Sequence, residues 1–321
     1  MNRVSVLVAF VTLALVAAQV RLGGAQGPAS GAATAGEKHR ILLKRLETTI
    51  IRIEKELDGV LAVAIRDLSN GDTILVHADE VMPQASSIKI PIVAELYRQD
   101  WQAAGGAGRY ARLGDLYTVR KADVVPDSQI MEGLTPDVTQ VTNRDLATFV
   151  VAVSDNAATN VLIDRLGMDN VNQLLTSLGL KETRLRRKMM DLQAARQGRE
   201  NTSTPREMML LLEAIYREKP FDKARTEDFF RLLSTRKQSS IPRLLPDSVR
   251  IANKPGALEA VRTDSGIVFV PNRPFIICAM TTYLRDERAG EEAISKVALA
   301  AYEYFNRLGR SSPYGRMVPP E

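Results

Sequence analysis

Ile41, Leu42, Leu46, Ile50, Ile53 and Leu57 recur every three or four positions, a period that predicts an amphipathic helix from Glu37 to Leu57. The pattern then shortens. Gly59 to Arg66 and Thr73 to His77 are rich in β-branched residues and predict two strands, with Ser69-Asn70-Gly71-Asp72 as the hairpin turn. A helix is predicted from about Ser86, buried because Ile88, Ile90, Ile92, Val93, Ala94 and Leu96 leave it little polar surface. Gly105-Gly106-Ala107-Gly108 marks a flexible connection, and no pattern assigns the stretch that follows as far as Thr139. Helical spacing returns at Thr142, with Asp145 in the first turn and Leu146, Phe149, Val150 and Val153 along one side. It breaks at Ser154-Asp155-Asn156 and resumes from Ala157 to Leu166. Thr204-Pro205-Arg206-Glu207 combines an N-cap threonine, a first-turn proline and a glutamate placed for a capping box, and so predicts a helix through Met208 to Tyr216. The last third predicts strands at Ser248 to Lys254, Gly266 to Val270 and Phe275 to Thr282, with Pro271-Asn272-Arg273-Pro274 as a turn, and a helix from about Glu291 to Phe305.

This order predicts an α+β fold: an antiparallel β-sheet flanked by helices, its strands drawn from both ends of the chain, with a second, all-α lobe. The α/β lobe would comprise residues 37–84 and 247–308, the helical lobe residues 85–246, and residues 309–321 a tail. A cleft at the junction of the lobes is the expected ligand site. Ahead of the domain, Arg3, the apolar run Val4 to Val20 and Gly23-Gly24-Ala25 have the layout of a secretory signal peptide over residues 1–25, cleaved after Ala25, with an uncleaved anchor as the alternative. Residues 26–36, rich in Gly, Ala and Ser, are expected to form a flexible linker. The expected location is therefore secreted or periplasmic, with no stable membrane partner after cleavage.

Composition narrows the chemistry. The net charge of +5 is modest for 321 residues, and no Lys/Arg block interleaved with aromatics points to nucleic acid. Cys278 is the single cysteine, so an intramolecular disulfide or a multi-cysteine zinc site cannot form. With only His39 and His77, a histidine-dependent triad or a multi-histidine metal site is not expected, and no metal or organic cofactor is called for.

Serine chemistry remains. In Ser86-Ser87-Ile88-Lys89, a serine at a helix start and a lysine three residues on share one face, so the amine can sit near the hydroxyl. A serine hydroxyl is a weak nucleophile until a base takes its proton, and a desolvated lysine can do so. Backbone N–H groups at the helix start favour negative charge developing on a carbonyl oxygen. About one S-x-x-K is expected by chance at this length, and a second copy, Ser234-Thr235-Arg236-Lys237, is present. Apolar neighbours place the first copy in a sheltered setting. Arg231, Arg236, Lys237 and Gln238 predict that the second is a solvated stretch without a site.

Ser86-x-x-Lys89, Ser154-Asp155-Asn156 and Lys254-Pro255-Gly256, in that order and on a helix start, an interhelix turn and a strand end, resemble the motif set of class A β-lactamases and penicillin-binding proteins. The resemblance covers about residues 37–308 and favours the class A branch. It implies that Ser86 attacks a lactam carbonyl whose oxygen is held by the N–H groups of Ser86 and Ala257. Lys89 would accept the Ser86 proton, Ser154 would relay a proton to the leaving nitrogen, and Lys254 would hold Ser154 and attract an anionic substrate. Asn156 would bind a substrate amide, Asp155 would hold the turn, and Gly256 would border the substrate. The expected partner is a β-lactam or a peptidoglycan-like small molecule.

Two departures stand out. Following Arg184-Leu185-Arg186-Arg187, the position of the family's water-activating glutamate falls on Met189, which cannot take a proton; Asp191 and Glu200 are the nearby carboxylates, with Asp191 the candidate deacylation base. Loss of a carboxylate and gain of an apolar side chain there, with the charge of Lys254 nearby, are expected to make Lys89 neutral more readily. Pro255 replaces the usual Thr or Ser that helps to hold the substrate carboxylate; Arg262 is the candidate replacement, and a solvated hairpin arginine is its alternative reading. The alternatives to a β-lactamase are a D-Ala-D-Ala-type peptidase or esterase, or a penicillin-binding sensor that is acylated without efficient turnover.

Overall fold

The computed structural model describes residues 30–317, apart from 107 and 109. The signal-peptide segment, residues 1–25, lies outside the described residues. Helix α1 spans Ser30–Glu56, so residues 30–36 are helical where a linker was expected. Ala32, Ala33 and Ala35 offset Gly31 and Gly36, alanine being the strongest helix former and glycine among the weakest.

The predicted hairpin is β1 (Val60–Asp67) and β2 (Thr73–Val76), paired from Arg66↔Thr73 to Val63↔Val76. A short strand β3 (Met82–Pro83) leads into a 3-10 turn, Ala85–Ile88, and then helix α2 (Lys89–Ala104). The stretch without a sequence pattern contains β4 (Leu116–Thr118), which pairs with β5 (Gln140–Thr142). Thr142 and Asp145 form a reciprocal capping box that starts α3 (Asn143–Ala152). Helices α4 (Asn156–Leu166), α5 (Met168–Ser177) and α6 (Leu192–Arg196) follow. Strand β6 (Thr202–Ser203) pairs with β3. Helix α7 (Pro205–Tyr216) has the predicted Thr204 cap, but the Glu207 carboxylate does not complete a box. It accepts instead from the backbone N–H groups of Lys181, Glu182 and Thr183, so it fastens another loop to this helix start. Helix α8 (Lys223–Leu233), strands β7 (Arg250–Leu258), β8 (Val261–Phe269) and β9 (Phe275–Thr282), and helix α9 (Glu287–Gly309) complete the order.

The main sheet is antiparallel in the order β2-β1-β9-β8-β7, built from both ends of the chain as expected. Alternation along its central strands feeds two cores. Leu61, Val63 and Ile65 of β1, with Phe275, Ile277 and Ala279 of β9, pack with Ile50 of α1 and Val297 and Phe305 of α9. Ala62, Ala64, Ile276, Cys278 and Met280 point into the other core, which continues through Met208 and Leu212 of α7 into the helices of the middle segment. Strand β7 is therefore an edge strand. It runs through Pro255 to Leu258, farther than the apolar pattern predicted, and an edge is where a proline can be accommodated within a sheet.

Candidate active site

Ser86 is the second residue of the 3-10 turn, partly buried, and the first N–H groups of such a turn have no acceptor within it. Its neighbour Ala85 takes φ 48°, a left-handed conformation that costs a non-glycine residue about 1–2 kcal/mol. Lys89 opens α2 and is buried. Its ammonium donates to Ser154 O at 2.5 Å, Ser154 Oγ at 3.0 Å and Asn156 Oδ1 at 2.8 Å. Lys254, buried on β7, donates to the same Ser154 Oγ at 3.0 Å and to Pro255 O at 3.0 Å. The Ser154 hydroxyl thus bridges two lysines. Ser154 is itself left-handed, with φ 62°, in the sharp turn between α3 and α4.

Gly256 shows how closely β7 approaches the serine. A Cβ there would lie 2.5 Å from Thr263 Oγ1, 2.7 Å from Ser86 N and 2.9 Å from Ala85 Cβ, so no larger residue fits without moving the backbone. Ser87 Oγ fastens the same approach by donating to Lys254 O at 2.9 Å. Ser86, Ser154, Asn156, Met189, Lys254 and Gly256 line one cavity of about 1650 Å³, together with Pro255 and Ala257.

Burial sets the charge of both lysines. It lowers Lys89 to about 7, against the pull of Asp155 and Asp127. Lys254 falls well below its ordinary value, through burial first and then through repulsion from Lys89 and Lys237. Lys89 is thus readily neutral, as expected, but desolvation is the leading cause; the repulsion between the two lysines is expressed on Lys254.

The remaining predicted residues divide. Asp155 is fully buried and caps α4 through Ala158 N, while Oδ2 accepts from Ile130 N and Met131 N; it holds the turn. Asn156 lines the cavity, its oxygen on Lys89 and its Nδ2 donating to Pro126 O at 3.2 Å. Met189 also lines the cavity, its backbone clamped on both sides by the Asn160 amide at 2.8 and 3.1 Å.

Other assignments are corrected. Asp191 is exposed, caps α6 by accepting from Ala194 N at 2.9 Å, and lies outside the cavity lining, so it is not placed as a base. Glu200 is engaged by Arg187 at 2.7 Å. Arg262 reaches the cavity wall, but Nε donates to Glu291 at 2.9 Å, Nη2 to Glu287, and Nη1 to the carbonyls of Leu258 and Val261 at 2.9 Å. All three of its nitrogens are occupied, so it is a bracket between β8 and α9 and not a free carboxylate partner. The second S-x-x-K copy is not a solvated stretch throughout: Ser234 and Lys237 line the same cavity, and Lys237 is partly buried. Asp127 also lines it and acts electrostatically on Lys89; it lies in the stretch before Thr139 that has no recognisable pattern, so nothing marks it in advance. His39 and His77 lie against Asp72 and Glu54, each at 3.6 Å. Among the described residues, no group of three or more His, Cys, Asp or Glu could hold a metal ion.

A family model described as the beta-lactamase enzyme family matches residues 45–305 of this chain. The chain belongs to that family. A beta-lactamase of Streptomyces lavendulae is 28% identical over 260 residues, which cover 77% of this chain and 82% of the relative. Among solved structures, the ancestral class A beta-lactamase designated GNCA superposes with a TM-score of 0.74 at 26% identity, covering 81% of this chain and 100% of that one. The structure of a protein designated PBP-A superposes with a TM-score of 0.72 at 25% identity, covering 82% and 97%. The chain is a class A β-lactamase-like serine hydrolase of α+β fold.

Proposed function

We propose that this hydrolase opens the β-lactam ring through an acyl-enzyme on Ser86 and releases the product slowly. The observation that carries the reading is the hydroxyl of Ser154 held between Lys89 and Lys254, at 3.0 Å from each, beside Ser86 in one cavity. Lys89, which burial makes readily neutral, takes the Ser86 proton as Oγ attacks the carbonyl carbon. The N–H groups of Ser86 and Ala257 hold the resulting oxyanion. Ser154 passes a proton to the ring nitrogen as the C–N bond breaks, and Lys254 keeps its hydroxyl in place. Asn156 and Gly256 border the acyl group, Asn156 offering the amide hydrogen not bonded to Pro126.

Slow release rests on Met189, which stands in the cavity where the family resemblance places a glutamate, with Asp191 outside the lining. The same observation favours a second reading, a penicillin-binding protein or D-Ala-D-Ala-type peptidase, and the likeness to PBP-A supports it. Secretion or a periplasmic location fits either reading. The test is a time course of the purified protein with a chromogenic cephalosporin, followed by absorbance and intact mass, beside Ser86→Ala. Sustained turnover that is absent in the variant supports the β-lactamase; a stoichiometric burst with a persistent adduct supports the second reading. No adduct and no turnover would overturn both.

A further inference from the structure

Among the cations that line the cavity, most are already committed. Arg187, Arg236, Arg243, Arg285 and Arg288 each lie within 4.0 Å of a carboxylate, and Arg262 is paired with both Glu287 and Glu291. Arg250 is exposed over the ring of Phe269, 4.3 Å from its centroid. Lys254 is engaged with Ser154. Lys237 remains, with no carboxylate within ion-pair distance among the described residues.

Its placement is built. The chain turns at the end of α8 so that Lys237 Nζ donates to Leu233 O at 2.8 Å and to Thr235 O at 2.6 Å. Carbonyls at a helix C-terminus favour a cation and fix the side chain there. An ammonium has three hydrogens, so one is left over. Burial lowers Lys237 to about 8, with Asp264 opposing, which leaves it mostly cationic at neutral pH. Asp264 is fully buried, held by Ile241 N at 2.9 Å and Asn253 Nδ2 at 2.8 Å. The charge of Lys237 disfavours the charged form of Lys254, and both line the cavity, so an anion bound near both would relieve that repulsion.

We propose that Lys237, and not Arg262, receives the carboxylate that a β-lactam carries beside its reacting amide nitrogen. The assignment rests on the Ser86 acyl-enzyme reading. It gives the second S-x-x-K copy a use that has nothing to do with a nucleophile: Ser234 and Lys237 both line the cavity, but Ser234 Oγ donates to Phe230 O at 2.7 Å, and the lysine supplies the charge. It also accounts for Pro255, since a charge supplied from the α8 end replaces a hydroxyl supplied from β7.

The experiment compares second-order acylation by benzylpenicillin and by its methyl ester, in the parent protein, Lys237→Met and Lys237→Arg. The parent is expected to favour the free acid by about ten- to a hundredfold, the usual range for a charge-assisted hydrogen bond in a sheltered site. Lys237→Met should lose most of that preference, the free acid slowing far more than the ester, and Lys237→Arg should keep part of it. The ratio within each variant is independent of how much of it is folded. If Lys237→Met keeps the parental ratio, or slows both compounds equally, the assignment is wrong while the acyl-enzyme stands. If the parent forms no adduct with either compound, the acyl-enzyme reading falls and takes this assignment with it.

Discussion

Replacing Lys89 with methionine should stabilise the protein at neutral pH while abolishing acylation. Lys89 titrates near 7 in the folded chain and near 10.5 when exposed. Between those values the unfolded chain binds a proton that the folded chain does not, so stability rises with pH across that window and the full cost of burial is present below it. At about 1.4 kcal/mol for each pH unit, burying this amine costs about 4 kcal/mol at pH 7 and about 1.5 kcal/mol at pH 9.5. Methionine removes the cost and loses the bonds to Ser154 O, Ser154 Oγ and Asn156 Oδ1, together about 3 kcal/mol. The balance is a gain of roughly 1 kcal/mol at pH 7 and a loss of roughly 1–2 kcal/mol at pH 9.5. Urea unfolding of parent and variant at both pH values reads the difference, with intact-mass analysis after penicillin treatment confirming that the adduct is gone. An equal destabilisation at both pH values would refute the reasoning, because it would mean that Lys89 carries no burial penalty in the folded state.

Gly256→Ala should slow acylation about a hundredfold and cost about 1–3 kcal/mol of stability, since its Cβ would meet Ser86 N at 2.7 Å; a parental acylation rate would show that β7 does not set the position of Ser86. Met189→Glu should shorten the lifetime of the penicillin adduct by about a hundredfold or more, and an adduct as persistent as the parent's in intact-mass time courses would remove this position from the deacylation step. Arg262→Ala should leave the preference for benzylpenicillin over its ester within about threefold while lowering thermal stability by an amount on the order of 1 kcal/mol, the brace to Glu287 and Glu291 being lost.

What could be read from the sequence follows from where the information lies. Helix caps and hairpin turns are local, and Thr142, Thr204 and Asn70-Gly71 marked their elements correctly. The ends of β7 and β8 were missed because Pro255, Gly256, Arg262 and Asp264 break the apolar alternation, and several of these are residues that the cavity requires. Ser86, Lys89, Ser154 and Lys254 could be singled out because the family motif names them. The surroundings of Arg262 and Lys237 could not be read for one reason: which carboxylates approach a cation is decided in space. Glu287 and Glu291 reach Arg262 from α9, while no carboxylate reaches Lys237 within 4 Å among the described residues.

Ala85, Ser154 and Met190 all hold left-handed backbone, with φ of 48°, 62° and 64°, and each is in the cavity lining. Together they store roughly 3–6 kcal/mol of conformational strain, comparable with the net stability of many domains. The two cores on either side of the sheet must hold these residues against relaxation, while the Asn160 clamp anchors the neighbouring Met189. The shape of the cavity therefore depends on packing supplied from outside it. Loosening that clamp frees Met189 and lets Met190 beside it relax, so activity is expected to fall on warming before the cores unfold in calorimetry, and loss of both together would show that this loop melts with the fold.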